Sequence, residues 1–205
     1  MNKAAIAAAL LFASGAAFAQ EGFYLGASIG TSKALQGCET VPSATSCDDK
    51  ATAPKVFGGY QFNRYVAVEV AGTKDLLKTR ASGSNATVET RATAAFELVV
   101  IPSLPLGDKG AVYGKLGGFL ANTRATTTIP QRPPNVSVGH FVYYPPSRFE
   151  AEETNGSVTF GAGLALSVSR RFTVRAEWQR YANVGGGSVP ETNVDALNLG
   201  VLYRF

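Results

Sequence analysis

The chain has 205 residues with a formal charge of +4, 45% hydrophobic and 17% charged residues, two cysteines and one histidine. That length supports one domain with a sizeable core, and so mild a positive excess gives no reason to expect a nucleic-acid partner. After the first segment no stretch approaches the roughly 18 uninterrupted apolar residues that a membrane helix needs.

The start, MNKAAIAAALLFASGAAFAQ, combines Lys3, a short apolar run and Ala17-Phe18-Ala19. It reads as a signal peptide, residues 1–19, cleaved before an exported domain over 20–205. From Gln20 onward the apolar residues recur with a period of two and are broken by turn residues. Eight such segments run over about 22–32, 54–63, 65–80, 87–101, 111–125, 156–168, 172–183 and 194–205. Each is long enough to cross a bilayer as a tilted strand, which takes about 9–11 residues.

The connections alternate in length. Those around Asn63-Arg64, Pro102 to Gly110 and Ser169 to Arg171 are short, whereas about 33–53, 126–155 and 184–193 are longer, with 81–86 alone breaking the trend. Short turns at one end and long loops at the other are the signature of an outer-membrane barrel, with the short turns facing the periplasm. A soluble sandwich would also alternate, so the decision rests on the polar face. Gly26, Ser28, Gly59, Gly117, Gly161, Gly163 and Gly200 lie there. On a solvated sheet glycine only weakens a strand, but inside a narrow barrel small residues make room for longer inward side chains. The fold class predicted is therefore all-β, an eight-stranded antiparallel up-and-down transmembrane β-barrel.

On the same parity as these small residues stand Glu69, Lys115, Arg175 and Glu177, with Glu89, Arg91 and Glu97 on the matching face of their strand. An unpaired charge in a tight interior is costly, so these seven are expected to form one lumenal network. Phe23, Phe62, Tyr65, Tyr113, Phe172, Tyr203 and Phe205 fall near the short-turn ends and read as an interfacial aromatic belt.

Cys38 and Cys47 lie close together in a polar stretch of an exported chain, and are expected to be bonded as a brace on a surface loop. The long stretch 126–155 holds Pro133-Pro134 and Pro145-Pro146 around Phe141, Tyr143 and Tyr144, aromatics suited to a contact surface. His140 lies beside them. It has no G-x-S-x-G and no set of metal-ligand partners around it, so no catalytic residue, metal site or cofactor is called for.

The stretches KVFGGYQFNRYVAVEVAG, VYGKLGGFLANT, FTVRAEWQRYANVG and LNLGVLYRF resemble strands of the OmpA-type transmembrane barrel, in strand order along the whole exported part. The resemblance implies a bacterial outer-membrane barrel of the barrel-only kind, with a polar, water-plugged interior and variable surface loops. It also implies pairing across the lumen through Glu69, Lys115, Arg175 and Glu177. Two positions depart from the pattern: Ser28 stands where a lysine is usual and Ala165 where a glutamate is usual. The terminal Tyr203 and Phe205 match the family's signal to the barrel assembly machinery.

The function expected is a non-enzymatic outer-membrane protein that supports the envelope and presents loops, as an adhesin for a host-surface or matrix protein. Its other partners would be outer-membrane lipid and lipopolysaccharide, and it would remain a monomer. The alternative from another class is a small pore for ions or solutes gated by the charge network. A third, a lipid-modifying enzyme, would need activity that depends on His140.

Overall fold

The computed structural model describes residues 21–36, 44–83, 87–130, 132–137 and 140–205, with the backbone alone at 44–45, 132–137 and 140–144. Residues 1–19 and Cys38 lie outside the described residues. The twelve strands are β1 (Gly22–Ala34), β2 (Ala44–Asp48), β3 (Lys50–Thr52), β4 (Lys55–Asn63), β5 (Val66–Gly83), β6 (Thr87–Leu106), β7 (Gly110–Ile129), β8 (Arg132–Ser137), β9 (His140–Tyr144), β10 (Ser147–Ser167), β11 (Phe172–Gly186) and β12 (Val189–Arg204).

Eight of them close into a ring in the order β1-β4-β5-β6-β7-β10-β11-β12, and β12 pairs back onto β1. All ring pairings are antiparallel. The closing seam runs in unbroken register from Tyr24 opposite Arg204 to Ala34 opposite Val194, and the Phe205 N–H donates to the Phe23 carbonyl at 3.2 Å. Closure leaves no strand of the ring as an open edge. The seam is the structural use of the alternating terminal stretch.

Outward positions carry the apolar set predicted for lipid contact: Leu25, Val70, Leu98, Leu116, Leu164 and Leu199 are all exposed. At the short-turn end, side chains cap the reversals. Asn63 Oδ1 accepts the N–H groups of Tyr65 and Val66 at 2.8 and 3.0 Å, and Ser169 Oγ accepts those of Arg171 and Phe172. Gly107 sits at φ 67 in the short turn between β6 and β7, a conformation that costs a residue with a Cβ.

The aromatic belt stands at this end as two edge-to-face ladders. Phe23, Tyr60 and Phe62 follow one another at 4.8 and 5.1 Å, and Phe172, Tyr203 and Phe205 at 5.3 and 5.2 Å. Tyr65 is exposed beside them. Tyr113 departs from the belt: it is 3% exposed and points into the lumen. Height along the strand puts Tyr113 at belt level, but its parity, shared with Lys115 and Gly117, turns it inward.

The long-loop end is built differently from a set of free loops. β7 continues to Ile129 and β10 resumes at Ser147, which is paired with it, so the connection between them is 130–146. Within it β8 and β9 form their own hairpin, Ser137 opposite His140. The last connection, expected as a longer loop over 184–193, is a tight turn at Gly187-Ser188, because β11 and β12 stay paired up to Gly186 and Val189; Gly187 has φ 56. β4 is short, and the space between β1 and β5 above it is occupied from the first long connection. There β3 pairs with β1 at Thr31 to Lys33, and β2 pairs with β5 so that Cys47 stands opposite Ala81.

Two irregularities reset the side-chain parity. β5 and β6 slip in register between Lys74 and Leu77, where Asp75 has φ 52, and β6 and β7 slip between Ala92 and Ala94. An inserted residue of this kind sends every side chain beyond it to the opposite face. In β6 the buried positions are Ala95, Glu97, Val99 and Ile101 below the bulge, and Ala92 above it.

Candidate functional site

The interior is layered along the barrel axis. Nearest the short turns lie Tyr24, Phe57, Ala67, Val99, Ile101, Tyr113 and Leu202. Nearest the loops lie Leu76, Leu77, Ala92, Phe119, Tyr181, Val184 and Val194. Between them sits a layer of charge. The water-plugged polar interior implied by the family resemblance is thus confined to one level, with apolar side chains above and below.

Three carboxylates, Glu69, Glu97 and Glu177, face three cations, Lys55, Lys115 and Arg175, and every one is under 9% exposed. Glu69 accepts Lys115 Nζ at 2.8 Å on one oxygen, and Arg175 Nη1 at 2.6 Å and the Tyr24 hydroxyl at 3.0 Å on the other. Glu177 receives Lys115 Nζ at 2.9 Å, Lys55 Nζ at 3.3 Å and the Tyr113 hydroxyl at 3.0 Å. Glu97 is held by Lys55 Nζ at 3.2 Å, Gln179 Nε2 at 2.8 Å and the Tyr181 hydroxyl at 2.7 Å. Gln179 Oε1 also accepts a hydrogen bond from Lys55 Nζ at 2.6 Å.

Each buried ion forfeits several kcal/mol of hydration, on the order that only excellent geometry and full hydrogen bonding can offset. Both conditions hold here: the charges cancel and each carboxylate has three donors. Arg175 is further sandwiched by the rings of Tyr24, Phe57 and Tyr113, whose centroids lie 5.5, 5.3 and 4.8 Å from its guanidinium carbon.

The lumenal glycines supply the space for these long side chains. A Cβ at Gly59 would stand 2.4 Å from the Tyr24 hydroxyl, and one at Gly163 2.5 Å from the Tyr113 ring. At Gly26 it would meet the Phe57 ring at 2.4 Å. Small residues on the inner face are therefore the negative image of the aromatic and charged ones opposite.

Of the predicted network, Glu69, Lys115, Arg175, Glu177 and Glu97 come together. Glu89 and Arg91 do not. They pair with each other on the outer face beyond the bulge of β6, because the extra residue there reverses the parity on which their assignment rested. Lys55 escaped the sequence reading because it opens its strand next to Pro54, yet it shares parity with Gly59, which was assigned inward. In the register Lys55 stands directly opposite Ser28. The ammonium absent at position 28 is delivered from the neighbouring strand, and the charge balance is kept.

Phe141, Tyr143 and Tyr144 have their backbone on β9. Their side chains, like that of His140, lie outside the described residues, as does Cys38, the expected partner of Cys47.

A closed antiparallel ring of eight strands, with an apolar outer band, an aromatic belt and a filled interior, is a transmembrane β-barrel of the outer-membrane type. Residues 18–205 match the family model of the OmpA-like transmembrane domain, and the chain belongs to that family in the Gram-negative outer membrane. It is similar to outer membrane protein A of Shigella flexneri, 29% identical over 214 residues, and to that of Salmonella typhi, 26% identical over 212 residues. Each alignment covers 100% of this chain and 56% of the relative, so the chain spans about half the length of these curated relatives. Among solved structures, Neisserial surface protein A shares the fold with a TM-score of 0.52 at 16% identity, over 89% of this chain and 97% of that one.

Proposed function

We propose that the protein is a non-enzymatic barrel that supports outer-membrane integrity and presents its long connections to the exterior, with its lumen held shut. What supports this reading is the charge layer itself, electrically balanced, with three donors on each carboxylate, and covered on the loop side by Leu76, Leu77, Phe119 and Tyr181. An ion entering from the loop end would have to displace apolar side chains and then separate paired charges. In planar bilayers the wild-type protein is expected to give no sustained conductance, and steady single-channel currents would overturn the closed-lumen reading.

A second reading, a small gated pore, has one feature in its favour. A vestibule of about 310 Å³ opens at the short-turn end and reaches Arg175, Tyr24 and Tyr113. If the charge layer is the gate, Glu69→Ala and Arg175→Ala will each produce channel openings. Currents unchanged from wild type in both variants exclude gating by this network.

The barrel is proposed to act as a monomer amid lipid and lipopolysaccharide. The 130–146 connection with Phe141, Tyr143 and Tyr144 is proposed as the contact surface for a host-surface or matrix protein. Deletion of 132–148 is expected to abolish adhesion to host cells while leaving the barrel folded, and undiminished adhesion would remove the loop from consideration. The Cys38–Cys47 bridge is part of the same reading, and intact mass before and after reduction detects it.

Tyr203 and Phe205 are proposed as the signal to the assembly machinery. Phe205→Asp is expected to reduce the amount of heat-modifiable barrel in outer-membrane fractions, and normal assembly of that variant would end the targeting reading.

A further inference from the structure

The vestibule at the short-turn end differs from the charge layer beside it in having cations to spare. Arg64, Lys109, Arg175 and Arg204 line it, and Asp108 is the one carboxylate on its wall. Arg175 is answered by Glu69 within the balanced layer. Among the described residues Arg64, Lys109, Arg204 and Asp108 form no ion pair, so three free cations face one free carboxylate. The surroundings keep that sign. Glu21 stands at the same end off the cavity wall, but so do Arg170 and Arg171.

The fold places these groups. Arg204 continues the inward row of Asn198, Gly200 and Leu202 on β12 and stands opposite the lumenal Tyr24. Its N–H donates to the Arg171 carbonyl at 2.8 Å, which fixes the strand end. Arg64 stacks on Tyr65, its guanidinium carbon 4.7 Å from the ring centroid. The Lys109 carbonyl accepts the Ser167 N–H at 2.8 Å and ties that turn to the end of β10.

At the inner end lies Arg175, only 7% exposed. Its cross-strand neighbours are Ala165 and Gly200, so no longer side chain stands between its guanidinium and the cavity. Ser167 Oγ and Thr173 Oγ1, also on the wall, share one hydrogen bond at 3.2 Å. Only one of two hydroxyls can donate in such a bond, which leaves the other hydrogen for a further acceptor.

We infer that the vestibule binds a small phosphate-bearing dianion from the periplasm, its oxygens held between Arg204 and Arg175 with Arg64 and Lys109 at the mouth. Three cations against one carboxylate leave two positive charges, the number a dianion cancels. Guanidinium forks match phosphate oxygens through paired charge-assisted hydrogen bonds, and like-signed charges around a cleft concentrate the opposite ion there. The volume of about 310 Å³ equals about ten waters at ~30 Å³ each, room for a small molecule and not for a polymer. The site needs no opening of the charge layer, so it stands or falls separately from conductance.

The test is calorimetric titration of the whole barrel in a non-ionic detergent, with inorganic phosphate and glycerol phosphate as probes. Saturable binding of one anion per barrel is expected, and the tighter probe tells free from esterified phosphate; binding of neither overturns the proposal. R204Q is expected to weaken binding at least tenfold, and so is R64Q/K109Q, which lies outside the strands. K78Q at the far end should bind as wild type. Heat-modifiable gel mobility establishes that each variant is folded. Unchanged affinity in both R204Q and R64Q/K109Q contradicts the inference. Chloride or acetate bound as tightly as phosphate would leave only a diffuse positive field, and also sinks it.

A second readout separates a binding site from cations that are merely solvated. Ala165→Glu places a carboxylate across from Arg175 on the cavity wall. Phosphate should raise the unfolding temperature of the wild type and leave that of A165E where it was. An equal rise in both, or none in the wild type, counts against the site.

Discussion

Glu69→Ala is expected to cost the barrel about 3–5 kcal/mol, the range for removing one partner of a buried ion pair. Urea unfolding from lipid vesicles, followed by tryptophan fluorescence, measures it. The magnitude follows from what the truncation strands. Lys115 and Arg175 lose their contacts of 2.8 and 2.6 Å and the Tyr24 hydroxyl loses its acceptor, all in a space that water reaches poorly. Lys115 keeps Glu177, but the layer is left with three cations against two carboxylates. Glu69→Ala combined with Arg175→Ala restores neutrality and should cost less than the sum of the single changes, since residues of one network are not additive. A loss below about 1 kcal/mol in the single variant would mean that water solvates this layer freely, the level of exposed pairs.

Lys55→Ala should be nearly as damaging, because Lys55 bridges Glu97 and Glu177 at 3.2 and 3.3 Å. Its more telling partner experiment is a transplant. Ser28 lies opposite Lys55 across the β1–β4 pair, so a lysine introduced at 28 can bring its ammonium to the level vacated at 55. S28K in the K55A background is expected to recover at least half of the lost stability, whereas S28K alone, which adds a fourth cation to a balanced layer, should be destabilising. Failure of the transplant would show that Lys55 acts through its particular position and not through the charge it contributes.

How much of this was legible beforehand can be judged residue by residue. The eight ring strands and the inward parity of Glu69, Glu97, Lys115, Arg175 and Glu177 follow from a period of two, because one buried face fixes the register of a strand, whereas closure into a ring is read from the small residues of the polar face. The same rule misplaced Glu89 and Arg91. A single inserted residue at Thr93 reverses the faces, and nothing in the local composition of ATAAFE marks it. Lys55 and Tyr113 were missed for a different reason. Both carry the right parity, but one stood at the edge of its segment and the other was sorted by height along the barrel before its face was considered. The apolar layer under the loops needed the structure, since Leu76, Val184 and Val194 converge from three strands whose alignment depends on the bulges.

The ordering of the lumen also bears on how the barrel must come together. Its ties are long in sequence: Arg175 reaches back 106 residues to Glu69, Lys55 waits 122 residues for Glu177, and Tyr113 waits 64 for the same carboxylate. β11 alone brings Arg175, Glu177, Gln179 and Tyr181 at alternate positions, so the earlier strands carry incompletely satisfied polar groups until the penultimate strand docks. Entropy is lost in bringing such distant segments together before their contacts reward it, which slows folding. Partly built barrels are therefore poor resting places, and the sheet should form and dissolve as one cooperative unit, with the arrival of β11 as the step that commits it.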